Sequence, residues 1–220
     1  MIIGVFDSGK GGKIVAKQLH ELLPDATIHV ATDSKNVPYG GRPRKEILAL
    51  TEAAIQPLLK KRCDTIVIAC NTATVNTIAS LRRRYPSQKF VGLEPMIKPA
   101  AHSTETGVIA VLATPATLAS PAYATLKRRY ASDITVVEPD CHDWASKIEH
   151  GKEADVSLVG TIQNLIKQNV DTIVLACTHY HALEAPIRQL AGPSVTILEP
   201  TDAIKARIVE ITRPADSPRQ

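Results

Sequence analysis

Asp64-Thr65-Ile66-Val67-Ile68-Ala69-Cys70 and Asp171-Thr172-Ile173-Val174-Leu175-Ala176-Cys177 are one phrase written twice, 107 residues apart in a chain of 220. Each copy is an apolar, β-branched run of strand length. Each ends on a cysteine and passes at once into small polar residues, Asn71-Thr72 in the first copy and Thr178-His179 in the second. Continuous apolar strands of this kind are buried on both faces, and such strands belong to parallel sheets covered by helices. Two further pairs keep nearly the same offset: Ser8 and Thr114 are 106 residues apart, and Glu94-Pro95 and Glu199-Pro200 are 105 apart. The repeat therefore divides the chain into two α/β halves of similar size.

Working outward, residues 2–6 read as the first strand, followed by Asp7-Ser8-Gly9-Lys10-Gly11-Gly12 and a helix over 13–23. A glycine-rich turn between strand and helix presents backbone amides that suit an anionic group. Its spacing fits neither the Walker P-loop nor G-x-G-x-x-G. A strand over 27–31 enters the Pro- and Gly-rich loop 33–43, and long loops in compact α/β folds carry function. The helix over 44–61 sets Ile47, Leu48, Leu50, Ala54, Ile55 and Leu58 at helical spacing. A helix over 72–84 stops before Pro86, and a short strand covers 90–93. In the second half, strands are expected over 107–112, 134–137 and 195–198. Ser120-Pro121 opens a helix to Tyr130 as an N-cap followed by a first-turn proline. Helical stretches cover 144–150 and 154–168, and the polar residues 213–220 read as a frayed tail. Ligands of such sheets sit beyond the carboxyl ends of the strands, where every polar cluster in this chain falls.

Hydrophobic residues at 44% and charged residues at 22% are ordinary for a globular α/β protein. No stretch approaches the roughly 18 uninterrupted apolar residues of a membrane span, and the first residues run into Asp7 with no basic lead, so a cytoplasmic protein is expected. The net charge of +4 comes partly from Arg82-Arg83-Arg84 and Lys127-Arg128-Arg129, both at predicted helix ends, where cations complement the dipole. With aromatic content of 4% and no recognition motif, a nucleic-acid partner is not expected. The four cysteines, Cys63, Cys70, Cys141 and Cys177, contain no C-x-x-C pair and are read as reduced. Cys63, just before a strand, and Cys141, in a loop, are read as structural.

Cys70 and Cys177 carry the chemistry. A cysteine between a strand end and a helix N-terminus is placed where the dipole favours its thiolate, and a modest downward shift would make a base usable at neutral pH. Two such thiols in repeat-related positions suit a task with mirror symmetry. One removes a proton from a carbon and the other returns a proton on the opposite face, as inversion of a stereocentre requires. Asp7 and Glu149 are the carboxylates placed to orient or assist protons. His179 and His181 lie on alternate residues, but no third or fourth metal ligand stands out nearby, and a histidine beside a thiol is read as its hydrogen-bond partner. No metal is expected.

The motifs Phe6-Asp7-Ser8-Gly9-Lys10-Gly11-Gly12, Val37-Pro38-Tyr39-Gly40, Ala69-Cys70-Asn71-Thr72-Ala73, Gly92-Leu93-Glu94-Pro95, Leu112-Ala113-Thr114-Pro115-Ala116-Thr117 and Cys177-Thr178-His179-Tyr180 occur in this order. In them the chain resembles the glutamate racemases of the aspartate/glutamate racemase superfamily, from its start to about Ile211. The resemblance implies two flavodoxin-like three-layer α/β/α domains with mainly parallel sheets, related by a pseudo-two-fold, with the active site in the cleft between them. The first domain would comprise 1–95 plus 199–220, and the second 96–198. It further implies cofactor-independent interconversion of L- and D-glutamate, D-glutamate for peptidoglycan, and a homodimer. By motif match Cys70 and Cys177 are the acid/base thiols, Asp7 and His179 their proton-handling partners, and Glu149 the assisting glutamate. Ser8, Pro38, Tyr39, Gly40, Asn71, Thr72, Thr114, Thr117 and Thr178 match positions that hold the substrate. Lys10, Ala176 and His181 depart from the usual small apolar residue, glycine and proline. The chain is shorter than typical members, with the losses expected between Gly151 and Val170 and at the C-terminus. Two other readings stay open: a racemase of aspartate or another amino acid, and a racemase-like binding or regulatory protein of the gyrase-inhibiting kind.

Overall fold

The computed structural model describes residues 1–212, and the predicted tail 213–220 lies outside them. In the first half, β1 (Ile2–Asp7), β2 (Thr27–Thr32), β3 (Thr65–Ile68) and β4 (Lys89–Gly92) form a parallel sheet in the order β2-β1-β3-β4. In the second, β5 (Val108–Ala113), β6 (Thr135–Val137), β7 (Thr172–Ala176) and β8 (Thr196–Leu198) repeat that order as β6-β5-β7-β8. The inner strands β3 and β7 are buried at every residue, whereas the edge strands β2 and β6 are not. This contrast is what continuous apolar runs at the centre of a covered parallel sheet produce.

Helices α1 (Gly11–Leu22), α2 (Arg44–Lys60), α3 (Asn71–Arg84), α4 (Ile97–Ser103), α5 (Pro115–Leu118), α6 (Pro121–Tyr130), α7 (Trp144–Glu149), α8 (Leu158–Lys167), α9 (Glu184–Ala191) and α10 (Thr201–Thr212) cover the sheets. Alternate residues of each strand face opposite layers. Ile66 and Ile68 pack with Ile47, Ile55 and Leu58, while Val67 and Ala69 pack with Val15, Leu19, Ile204 and Ile208. The second sheet divides in the same way: Ile173 and Leu175 lie against Trp144, Ile162 and Ile187, and Val174 and Ala176 against Ile97, Ala100 and Tyr123. Each half is thus a three-layer α/β/α sandwich. Helix α10, although it follows the second sheet, buries Ile204 and Ile208 in the first half's core.

The N-cap at Ser120 and the first-turn proline stand as expected, with Ser120 Oγ accepting the Tyr123 N–H at 3.1 Å. Three local expectations need correction. Helix α1 begins at Gly11 rather than residue 13, because the buried Asp7 carboxylate accepts the Gly12 N–H and outweighs the poor helix propensity of the glycines. The helix expected over 154–168 is broken into a 3-10 turn at Glu153–Asp155 and α8, because Val156 is extended and tucks its side chain into the core. Cys177 leads into a 3-10 segment, Thr178–Leu183, rather than an α-helix. The Tyr180 N–H closes onto the Cys177 carbonyl at 3.0 Å, which drives the Tyr180 ring onto Trp144 at 5.5 Å.

Topology explains where a ligand belongs. The strand order reverses beside β1 and β3 in one sheet, and beside β5 and β7 in the other. A crevice opens at the carboxyl ends of strands at such a switch point. Asp7 ends β1 and Ser8 follows, Cys70 follows β3, Thr114 follows β5 and Cys177 follows β7.

Candidate active site

On the first side, Cys70 is the N-cap of α3 and its Sγ accepts the Ala73 N–H at 3.4 Å. The Ser8 hydroxyl donates to the same sulfur at 3.4 Å. Asn71 donates through Nδ2 to the Leu93 carbonyl at 2.9 Å, leaving its buried Oδ1 without a hydrogen-bond partner among the described residues. On the second side, Cys177 Sγ lies 3.8 Å from His179 Nδ1, and His179 Nε2 lies 2.6 Å from Glu149 Oε2. Glu149 comes from the end of α7, 30 residues earlier in the chain.

The two halves meet through polar groups. Thr178 Oγ1 donates to Asp7 Oδ1 at 2.9 Å, while the other Asp7 oxygen takes the Gly9 N–H at 2.8 Å. This approach requires glycine in the turn after β1. A Cβ on Gly11 would lie 2.4 Å from Thr178 Cβ, and one on Gly9 would lie 2.5 Å from Glu149 Oε2 and 2.8 Å from His179 Nε2. Thr72 of α3 shares hydroxyl hydrogen bonds with Thr114 at 2.8 Å and Thr117 at 3.3 Å, and Thr114 and Thr117 are 3.1 Å apart. A main-chain bond runs beside them, from the Ala116 N–H to the Gly40 carbonyl at 2.9 Å.

Both thiols are 6% exposed and Asp7 is fully buried. Burial pushes the Cys70 thiol up to about 11, helped by the Asp7 charge and opposed by the Ser8 and Ala73 hydrogen bonds. Cys177 is raised well above the usual thiol range, first by burial and then by the proximity of Cys70. The expected downward shift is therefore reversed: desolvation of the charged form exceeds what helix-end amides return. Asp7 is also raised by burial, against the His179 charge and the hydrogen bonds from Gly9, Thr178 and Gly12. The Cys70 effect on Cys177, and the Asp7 effect on both, place the three groups within one electrostatic neighbourhood.

The structure thus links Asp7 with Thr178, Ser8 with Cys70, Glu149 with His179 and Cys177, and Thr72 with Thr114 and Thr117. Gly40 touches this group through its main chain, and its Cβ position lies 2.8 Å from Thr114 Cβ. Tyr39 is buried, but its hydroxyl is committed to Asp33 at 2.7 Å, and Pro38 offers its carbonyl to Arg42 at 3.3 Å. Asp33 and Asn76 were not singled out from sequence. Asp33 anchors Tyr39, and Asn76, one turn after Thr72, holds the Ala116 carbonyl at 3.2 Å. The Asp33, Asn36 and Tyr39 spacing and the Thr72/Asn76 helical spacing were the available signals. Cys63 and Cys141 are buried, Cys141 in the same core cluster as Cys177, and all four cysteines are free. His181 Nδ1 is buried without a hydrogen-bond partner among the described residues, and burial lowers its pKa. Among the described residues, no three potential metal ligands are assembled and no helix is long and apolar enough to cross a membrane. A cavity of about 710 Å³ lies at the opposite, amino-terminal edge of the first sheet, lined by Met1, Cys63 and Lys89, and neither Cys70 nor Cys177 lines it.

The α/β fold is repeated, with one thiol at the same switch point of each half, and comparison with known proteins places a fold of this kind among the racemases, which are isomerases. Residues 13–207 match the family model described as Asp/Glu/Hydantoin racemase. The chain is 41% identical over 218 residues to the glutamate racemase of Herpetosiphon aurantiacus, covering 97% of this chain and 85% of that one. It is similar in structure to Escherichia coli glutamate racemase in complex with L-glutamate and the activator UDP-MurNAc-ala, with TM-score 0.81, 29% identity, and coverage of 98% and 84%. It is likewise similar to the Francisella tularensis enzyme in complex with D-glutamate, with TM-score 0.79, 25% identity, and coverage of 95% and 80%. The chain belongs to the Asp/Glu racemase family, among its glutamate racemases.

Proposed function

We propose that this isomerase interconverts L- and D-glutamate by proton exchange at Cα, with Cys70 and Cys177 acting on opposite faces, and that it supplies D-glutamate for peptidoglycan. The observation that carries the reading is the mirrored placement of the thiols, each directly beyond the inner strand of its own sheet. One thiol must be ionised to accept the Cα proton while the other stays protonated to donate. Burial keeps both protonated in the protein alone, so the donor is ready. A substrate α-ammonium brought beside them favours the thiolate of the acceptor. Proton exits differ: Cys177 faces the His179–Glu149 pair, while Cys70 has the Ser8 hydroxyl and the Asp7 carboxylate. The Asn71 Oδ1 is an acceptor suited to the ammonium, and the Thr72, Thr114 and Thr117 hydroxyls and nearby amides are donors suited to a carboxylate. None of these adds a titratable competitor to the thiols.

Under the same reading, residues 1–95 plus 199–220 form one domain and 96–198 the other, supported by the return of Ile204 and Ile208 to the first core. A cytoplasmic homodimer is the setting we propose for it. Circular dichroism of the purified protein with each enantiomer of glutamate tests the activity: optical rotation should decay to zero from either side. If glutamate stays optically pure and aspartate does not, the substrate assignment fails. If turnover in deuterium oxide leaves Cα unlabelled, the proton-exchange mechanism fails.

A further inference from the structure

We infer that Lys10 is a positioning residue for the Cys177 half of the reaction, clamping the carboxyl end of α7 so that Glu149 keeps His179 against the thiol. The inference rests on the two-thiol reading above. Lys10 is exposed in the turn after β1, in the first half, yet its Nζ donates to the Glu149 carbonyl across the divide at 2.6 Å. Its main-chain N–H donates to Glu149 Oε2 at 3.2 Å. Glu149 is the last residue of α7, where carbonyls lack intrahelical partners and the helix dipole favours a cation. The same Oε2 receives His179 Nε2 at 2.6 Å, and His179 Nδ1 lies 3.8 Å from Cys177 Sγ.

Four groups therefore stand in series, and the first comes from the opposite half of the molecule to the other three. Lys10 holds Glu149 at two points, main chain and carboxylate, which fixes both the position and the rotation of that side chain. The Cys70 side is arranged otherwise. The two groups bonded to its sulfur, Ser8 and Ala73, both belong to its own half, and the inter-half bond on that side, from Thr178 to Asp7, does not reach the sulfur. The Lys10 ammonium reaches neither sulfur by a hydrogen bond and acts only through Glu149.

Lys10→Met keeps the aliphatic stem and removes the donor. We expect kcat/KM to fall about tenfold, and equally in both directions because enantiomers have equal free energies. Lys10→Arg, which keeps a donor, restores most of it. The decisive readout uses Cα-deuterated enantiomers. In Lys10→Met the primary isotope effect rises for the enantiomer deprotonated by Cys177. It falls for the other, whose slow step becomes protonation by Cys177. Isotope effects that move together, or an unchanged kcat/KM, overturn the clamp while leaving the racemase reading intact. If the unmodified protein racemises nothing, that reading fails, and hydrogen exchange still decides the clamp: amides of 147–152 should lose protection in Lys10→Met, and unchanged protection refutes it.

Discussion

The two thiol sites begin from the same strand and end in different chemistry. Cys70 caps a 14-residue α-helix and is held by a hydroxyl and an amide. Cys177 opens a six-residue 3-10 segment and is met by an imidazole backed by a carboxylate. Duplication supplies the symmetry that attack on both faces of one carbon needs, and the residues just after each strand break it. The sheets set where the two thiols stand, while the turn after each strand sets which groups each thiol meets.

The comparison predicts a graded series. Cys70→Ala and Cys177→Ala should each lower racemisation by at least about 10³-fold in both directions with the far-ultraviolet spectrum unchanged. A variant that keeps turnover would end the claim that the sides are complementary. Glu149→Gln should cost about 10²-fold in kcat/KM and change the shape of its pH profile, because it removes the carboxylate that backs His179 beside Cys177. A profile of unchanged shape would reduce that carboxylate to a spacer.

Next comes stability at high pH. The Cys70 thiol is raised by burial from 9.0 to about 11 in the folded protein. Below pH 9 both folded and unfolded chains keep this proton; between about 9 and 11 only the unfolded chain releases it, so folding stability falls as pH rises. The loss from this one group is about 2–3 kcal/mol. Denaturant melts from pH 8 to 11 should therefore be less steep in pH for Cys70→Ala than for the unmodified protein, and equal slopes would refute the buried-thiol account. The smallest effect is expected at Ser8→Ala, about threefold in kcat/KM with no change in profile shape, since a hydroxyl at 3.4 Å from sulfur is a weak neutral donor. A loss matching that of Glu149→Gln would erase the proposed difference between the sides.

Much of this was legible in the chain. The two Asp-Thr-Ile-Val phrases mark β3 and β7, and their spacing anticipates that both sheets share one strand order. The cysteines, Asp7 and the threonines fall at strand ends for that reason. What periodicity does not carry is desolvation: the direction of the thiol shifts depends on how deeply the folded chain buries them, and local sequence at Cys70 points the opposite way. Nor does it carry the 3-10 path after Cys177, which is decided by Tyr180 finding Trp144 and the Cys141 carbonyl. The Asp33 anchor of Tyr39 lies in an irregular loop, where the Asp33, Asn36 and Tyr39 spacing has no period to single it out.

The bond from the Ala116 amide to the Gly40 carbonyl has a consequence for how such a protein can change. It joins the two repeats through peptide groups alone, so apart from proline at position 116, which would lack the donor, substitution removes neither of the two groups. The register between the repeats is thereby written in the main chain. Glycine at position 40 is what lets the two stretches of chain come this close, since a Cβ there would lie 2.8 Å from Thr114 Cβ.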